Sequence, residues 1–256
     1  MTIGQSNIWR GMGAVLVGAA MCGPQAAAAA ALNLTDGDKI KLEWGAGTYG
    51  HASGGGEFKV SGVSVLNGPG DTFLTFCMEF PEHISLGTAY YVDVNDRAIS
   101  GGAGSLGTYA GDVGGTAAYD PLSNATAWLY TQFVNHTLAG FNFVTPNDAD
   151  ANSLQKAIWF LENEKPLSFL TGDTNAIAFK GAAIANAIGG FANPKVRVLN
   201  LWDTRMGTLG NYSFSGNHQD QLYMATHMPE PETYAMLLAG LGLLGFAARR
   251  RKSKSA

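Results

Sequence analysis

Both ends of this chain are apolar runs set beside basic residues, and neither run belongs in the core of a water-soluble domain. At the N-terminus, Arg10 is the only charge before Asp36. An apolar run over 11–20 follows, Pro24 interrupts it, and 26–31 supply several A-x-A cleavage sites. This order of basic, apolar and small-residue regions is that of a secretory signal peptide. The run is short for a membrane span, which takes about 20 residues. Met21 stands before Cys22, where a lipid-attachment signal places a small residue, so Cys22 is read as part of the leader. At the other end, Pro229-Glu230-Pro231-Glu232 precedes an uncharged stretch over 233–248, and Arg249, Arg250, Arg251, Lys252 and Lys254 close the chain. The positive-inside rule holds such a cluster in the cytoplasm. The tail therefore predicts a short C-terminal membrane helix with the bulk of the protein outside. The expected organisation is a signal peptide over 1–31, an exported body over 32–227 and a sorting tail over 228–256.

The tail resembles the PEP-CTERM sorting signal in three ordered parts: the motif at Pro229, Glu230 and Pro231, an apolar helix over 233–248, and a basic cluster over 249–254. The resemblance implies processing near the motif by an exosortase, a membrane protease and transpeptidase. It also implies transient retention in the inner membrane through Arg249, Arg250, Arg251 and Lys252, then delivery to the cell surface or extracellular matrix. Exopolysaccharide is the usual company of such proteins.

The chain carries 20 acidic and 16 basic side chains. Glu230, Glu232, Arg10 and the five tail cations lie outside the body, which leaves 18 acidic and 10 basic residues and a net charge of −8. A surface of that sign repels phosphate, so nucleic acid is excluded as a partner. Cys22 leaves with the signal peptide and Cys77 remains as the single thiol of the body. An internal disulfide is impossible, and the leftover thiol calls for burial, intermolecular pairing or chemistry.

The first half of the body alternates as strands do. Lys39-Ile-Lys-Leu-Glu-Trp44, the stretch 57–66, and the β-branched and aromatic runs 72–79 and 88–94 are separated by Gly and Asp clusters. A Gly-rich loop is expected over 100–118. The middle turns helical. Asp120-Pro121 reads as N-cap and first residue of one helix, with Leu122, Ala125, Leu129 and Phe133 on one face. A second helix is expected from Asn152 or Ser153 to Pro166, and a third from Asp173 through Ala187 to the Gly189-Gly190 break. Strands return at 195–202 and 221–225. The fold class predicted is α+β: a β-rich sandwich or barrel-like domain with a helical insertion, flanked by the signal peptide and the membrane helix.

Two segments carry the candidate chemistry. Thr75-Phe-Cys-Met-Glu79 places a thiol in an apolar strand, and Leu154-Gln-Lys-Ala-Ile-Trp159 places an amide where a helix opens. Together they resemble the thioester domain of bacterial surface adhesins, in which a Phe/Tyr-Cys segment precedes a helical region and a Gln-x-Ala-Ile/Val-Trp segment. Ala127-Trp-Leu-Tyr130 fits the intervening helix, and Leu154 departs from the polar residue usual before the Gln. The resemblance implies an internal thioester between Cys77 and Gln155, open to attack by amines or hydroxyls of another surface. Glu79 and His83 are possible helpers in proton transfer.

Read as residues alone, Cys77 is equally a small buried hydrophobe and Gln155 a capping side chain. Cys77 and His83 also permit a cysteine hydrolase, although no third member is marked. The five His show no metal-ligand spacing. The Asp36-Gly-Asp38 and Asp93-Val-Asn-Asp96 runs do not complete a calcium loop. No metal and no cofactor is predicted. The reading is a non-enzymatic surface or matrix protein, a covalent adhesin in its sharp form. Its alternatives are a non-covalent matrix or carbohydrate-binding protein with a structural Cys77, and a secreted cysteine hydrolase.

Overall fold

The computed structural model describes residues 33–45, 56–64, 72–99, 119–144, 148–188 and 193–225. Among these, six antiparallel strands form one sheet. They are β1 (Lys39–Trp44), β2 (Phe58–Ser64), β3 (Phe73–Thr75), β4 (Ala89–Asn95), β7 (Val196–Thr208) and β8 (Asn211–Met224), in the spatial order β3-β2-β1-β4-β7-β8. A separate ribbon pairs β5 (Arg97–Ile99) with β6 (Tyr119–Pro121). Helices α1 (Asn124–Val134), α2 (Asp148–Leu161) and α3 (Thr174–Ala187), with a 3-10 turn at Leu167–Leu170, lie between β6 and β7. The α+β class and the helical insertion stand.

The barrel-like or sandwich form does not. The six-stranded sheet is not closed: its edge strands β3 and β8 form no ladder, and the chain just after β3 reaches β8 through the isolated bridge Cys77↔Gln221. β3 stops at Thr75, so the expected strand over 72–79 is cut short. The chain then changes partner. Phe76 O accepts from Leu222 N and Met78 N donates to Asp220 O, both at 3.0 Å, and Thr75 Oγ1 donates to Leu222 O at 2.5 Å. Alternation across this extended segment sorts side chains to two cores. Phe76 and Met78 face the helices with Leu129, Phe133, Leu154, Ile158, Leu161 and Phe179. Cys77 joins Ile40, Leu42, Phe58, Val60, Tyr90, Val92, Leu199, Leu201 and Tyr223 on the other side.

Helix boundaries shift for local reasons. Asp120-Pro121 belongs to β6, and α1 is capped instead by Ser123, whose hydroxyl accepts from Thr126 N at 3.1 Å. The buried face of Ala125, Leu129 and Phe133 is as expected. α2 starts earlier than Asn152, at Asp148, where Asp148 and Asp150 suit the positive end of the helix dipole. Asp173 caps α3 as expected, accepting from Ala176 N at 3.0 Å. The last two strands form one long hairpin with a two-residue Leu209-Gly210 turn, whose outer half is mostly exposed on both faces. The signal peptide, the 100–118 loop, Gly189-Gly190 and the sorting tail lie outside the described residues. No described helix is long and apolar enough to cross a membrane.

Candidate functional site

The Phe76–Phe80 segment runs beneath α2 and is fastened to it at three points. Gln155 Oε1 accepts from Cys77 N at 2.9 Å, and Gln155 Nε2 donates to Cys77 O at 2.8 Å. One turn further along, the Trp159 ring meets Phe80 edge-on at 4.9 Å. Beyond the helix end, Glu164 Oε2 accepts from Phe80 N at 3.1 Å. The reason for the first contact lies in the bridge. Cys77 and Gln221 are a non-hydrogen-bonded antiparallel pair, because Phe76 and Met78 make the bonds to β8. The N–H and C=O of Cys77 therefore point away from β8, where no strand follows. The Gln155 amide supplies the donor and acceptor that a neighbouring strand would give.

Structure thus brings Cys77 and Gln155 together, with Cys77 fully buried and Gln155 only 1% exposed. Gln155 is not at the opening of a helix, as the sequence reading had it, but in the second half of α2. The contact reaches the Cys77 backbone; its sulfur accepts a long bond from Gln221 Nε2 at 3.6 Å. Burial pushes the thiol up to about 12; Gln221 opposes this, and the charge of Glu79 adds to it. Tyr130, in the helix expected between the two segments, donates to Leu74 O at 2.8 Å and ties β3 to α1.

The proposed helpers are placed differently. Glu79 is fully buried, and without a counter-cation its carboxyl is pushed up to about 12, by burial first and then by Glu82, Asp220 and Glu164. A carboxyl held protonated is no base at neutral pH. His83 is exposed, and its carbonyl rather than its ring is engaged, facing Gln219 N at 3.4 Å and the His218 ring at 3.3 Å.

Sequence reasoning missed Gln221 and Asp220 because they become neighbours of residues 77–79 only through the β8 bridge, and it passed over Glu82 because without Asp220 nothing marks the Glu79-Glu82 pair. Among described residues, Glu79, Glu82 and Asp220 each offer an oxygen within 4.8 Å of the others. Burial raises the Glu82 carboxyl, and Asp220 is raised well above the usual carboxylate range for the same cause. Neither the expected absence of metal nor the non-enzymatic reading is decided by this arrangement.

Comparison with known proteins bears on the tail. Residues 229–252 match the PEP-CTERM protein-sorting motif. That motif implies an exported protein sorted by exosortase. No curated protein and no solved structure matches the chain.

Proposed function

We propose that the body is a covalent attachment domain in which Cys77 and Gln155 close an internal thioester after export. The observation that carries this reading is the two-point contact between the Gln155 amide and the Cys77 backbone. The Cys77 N–H sits on the amide oxygen, where negative charge develops when sulfur attacks Cδ; it serves as an oxyanion donor. The amide nitrogen, which must leave, is held on Cys77 O. The balance is simple: Sγ–Cδ forms, Cδ–Nε2 breaks, the thiol proton passes to the departing nitrogen, and ammonia is released. An amine of another surface then attacks Cδ, forms an amide through Gln155 and frees the thiol. Burial keeps water from the acyl group, and the two hydrogen bonds hold the Gln155 amide beside residue 77, which favours closure by proximity. The high thiol pKa argues for closure during folding, before the site is sealed from solvent.

Such a domain acts once per chain and is not a turnover enzyme. A cysteine hydrolase fits less well, because the thiol is buried and His83 lies exposed without a contact to it. The proposed targets are amines, hydroxyls or exopolysaccharide of another surface, a choice in keeping with exosortase handling of the tail.

Methylamine tests the reading. Exported protein treated with methylamine under partial unfolding, which opens the buried site, is expected to carry it at Gln155 and to gain one titratable thiol. A full thiol titre before treatment, with no methylamine uptake after partial unfolding, would overturn it. A second reading, non-covalent glycan binding, is favoured by the aromatic row on the hairpin. Trp202 and Phe214 stack at 5.9 Å, Tyr212 follows at 6.0 Å, and all are part-exposed. Retention on immobilised exopolysaccharide that survives Cys77→Ala but is lost in Tyr212→Ala would select it.

A further inference from the structure

We propose that Glu79, Glu82 and Asp220 form a calcium site that clamps the segment after Cys77 to β8. The three carboxylates come from chain segments about 140 residues apart in sequence and present oxygens within 4.8 Å of one another. Carboxyl groups so close share either protons or a cation. Asp220 is held by Ile99 N at 2.6 Å, and Glu82 Oε1 accepts from Asn217 Nδ2 at 2.8 Å. Glu82 Oε2 is buried and has no hydrogen-bond partner outside the cluster.

Glu79 supplies the independent observation. It is 0% exposed, and its carboxyl has no partner outside the cluster, only the neighbouring carboxyl of Glu82. Its own main chain is well satisfied, with its carbonyl accepting from Gln219 Nε2 at 2.8 Å, so the side chain is held in place and aimed into the cluster. Among the described residues, no Lys or Arg lies within ion-pair distance of any of the three. With no cationic side chain among the described residues to pair with it, this buried carboxyl keeps a proton in the empty site, and a cation from outside the chain can take that proton's place.

The donor set selects the cation. All ligands are carboxylate oxygens, which suits hard cations and not zinc or copper. Mg2+ keeps several waters and demands a near-octahedral shell, which Glu79 and Asp220, 0% and 1% exposed, leave little room for. Ca2+ accepts irregular shells of carboxylates and carbonyls at about 2.3–2.6 Å, so oxygens on opposite sides lie about 5 Å apart, the span seen here. Glu82 is half-buried and provides the way in. An exported body meets its ion outside the cell, where Ca2+ modules bind at about 10⁻⁴–10⁻³ M or tighter. Bound there, the ion would fix Met78–Asp220 and Gln219–Glu79, the contacts that flank the Cys77 bridge. The inference does not depend on the thioester, since calcium binding is measured whether or not that bond forms.

Calorimetric titration of EDTA-stripped exported protein with CaCl2 tests it, with MgCl2 as comparison and thermal melts in EDTA and in calcium. One Ca2+ per chain and a melting point raised by calcium are expected. Glu79→Gln should weaken binding by at least the roughly 10–100-fold that loss of an outer-shell partner alone costs. In EDTA it should melt no lower than the wild type, because the carboxyl it replaces is already protonated there. Should Glu79→Gln fail to fold, the same loss is read in Glu82→Gln at the solvent-facing position. Absence of saturable heat and of any melting shift up to about 10 mM calcium, well above the range of extracellular modules, overturns the site. So does wild-type affinity in both variants, and equal affinity for Mg2+ overturns the choice of ion.

Discussion

Deleting the Gln155 amide in a Cys77→Ala background isolates what that amide does for the fold. Neither Cys77→Ala nor the Cys77→Ala/Gln155→Ala double variant can form a thioester, so their difference contains no cross-link. The single variant keeps both bonds of Gln155, because these go to the backbone of residue 77 and not to its sulfur. The double variant leaves that N–H and C=O buried and unpaired. Each orphaned group costs about 1–3 kcal/mol, and the two together about 2–6 kcal/mol. The cavity left by a side chain that is 1% exposed adds in the same direction. Cys77→Ala itself should cost only about 1 kcal/mol, since the sulfur makes one long contact to Gln221. The assay is urea unfolding of the two variants, with the midpoint falling by roughly 1 M or more in the double variant at unchanged slope. A difference under about 0.5 kcal/mol, within the range of an ordinary surface substitution, would refute the claim that Gln155 stands in for a missing strand.

Three further outcomes follow from other parts of the molecule. Surface-recovered protein should yield no peptides from 249–254, and their recovery by mass spectrometry would contradict exosortase processing. The Glu162 carboxyl is pushed up to about 8, by burial first and by Asp120 second. Its folded pKa lies above the unfolded value, so its contribution to stability is present below about pH 4.5 and is lost as pH rises through about 8. Urea midpoints should therefore fall between pH 5 and pH 8, and less so in Glu162→Gln, which keeps an acceptor for the Ser123 hydroxyl. Equal falls in both proteins would show that Glu162 is not the group. Gly207 has a φ of 97°, and a Cβ there would collide with the Asn211 carbonyl. Gly207→Ala should cost about 1–3 kcal/mol in the same unfolding assay, and a neutral result would mean the hairpin backbone relaxes freely.

Much of the framework is legible in residue order. Period-two alternation locates β1, β2 and β4 because each buries one face, and Asp173 marks α3 because it accepts from the first turn, while Ser153 and Lys156 of α2 hold it in place. The misreadings share a cause. The polar start Asp148-Ala-Asp-Ala-Asn carries no apolar stripe, so α2 looks shorter than it is and Gln155 looks terminal. The outer half of the β7–β8 hairpin is exposed on both sides, which removes the alternation that signals a strand. Asp120-Pro121 has the chemistry of a helix start but is held in β6 by pairing with Arg97 and Ala98. The Cys77–Gln155 contact was reached through motif resemblance. The acidic cluster was beyond reach, because nothing near Glu79 in sequence announces that Asp220 will lie beside it.

The intact mass of the exported, tail-processed protein tests the thioester most directly. The account predicts a mass lower than the sequence by one ammonia, restored by Cys77→Ala and by Gln155→Ala after allowance for each substitution. Tandem fragmentation should join the Cys77 and Gln155 peptides. A wild-type mass equal to that of the unmodified chain, with Cys77 fully alkylated after denaturation, would contradict it.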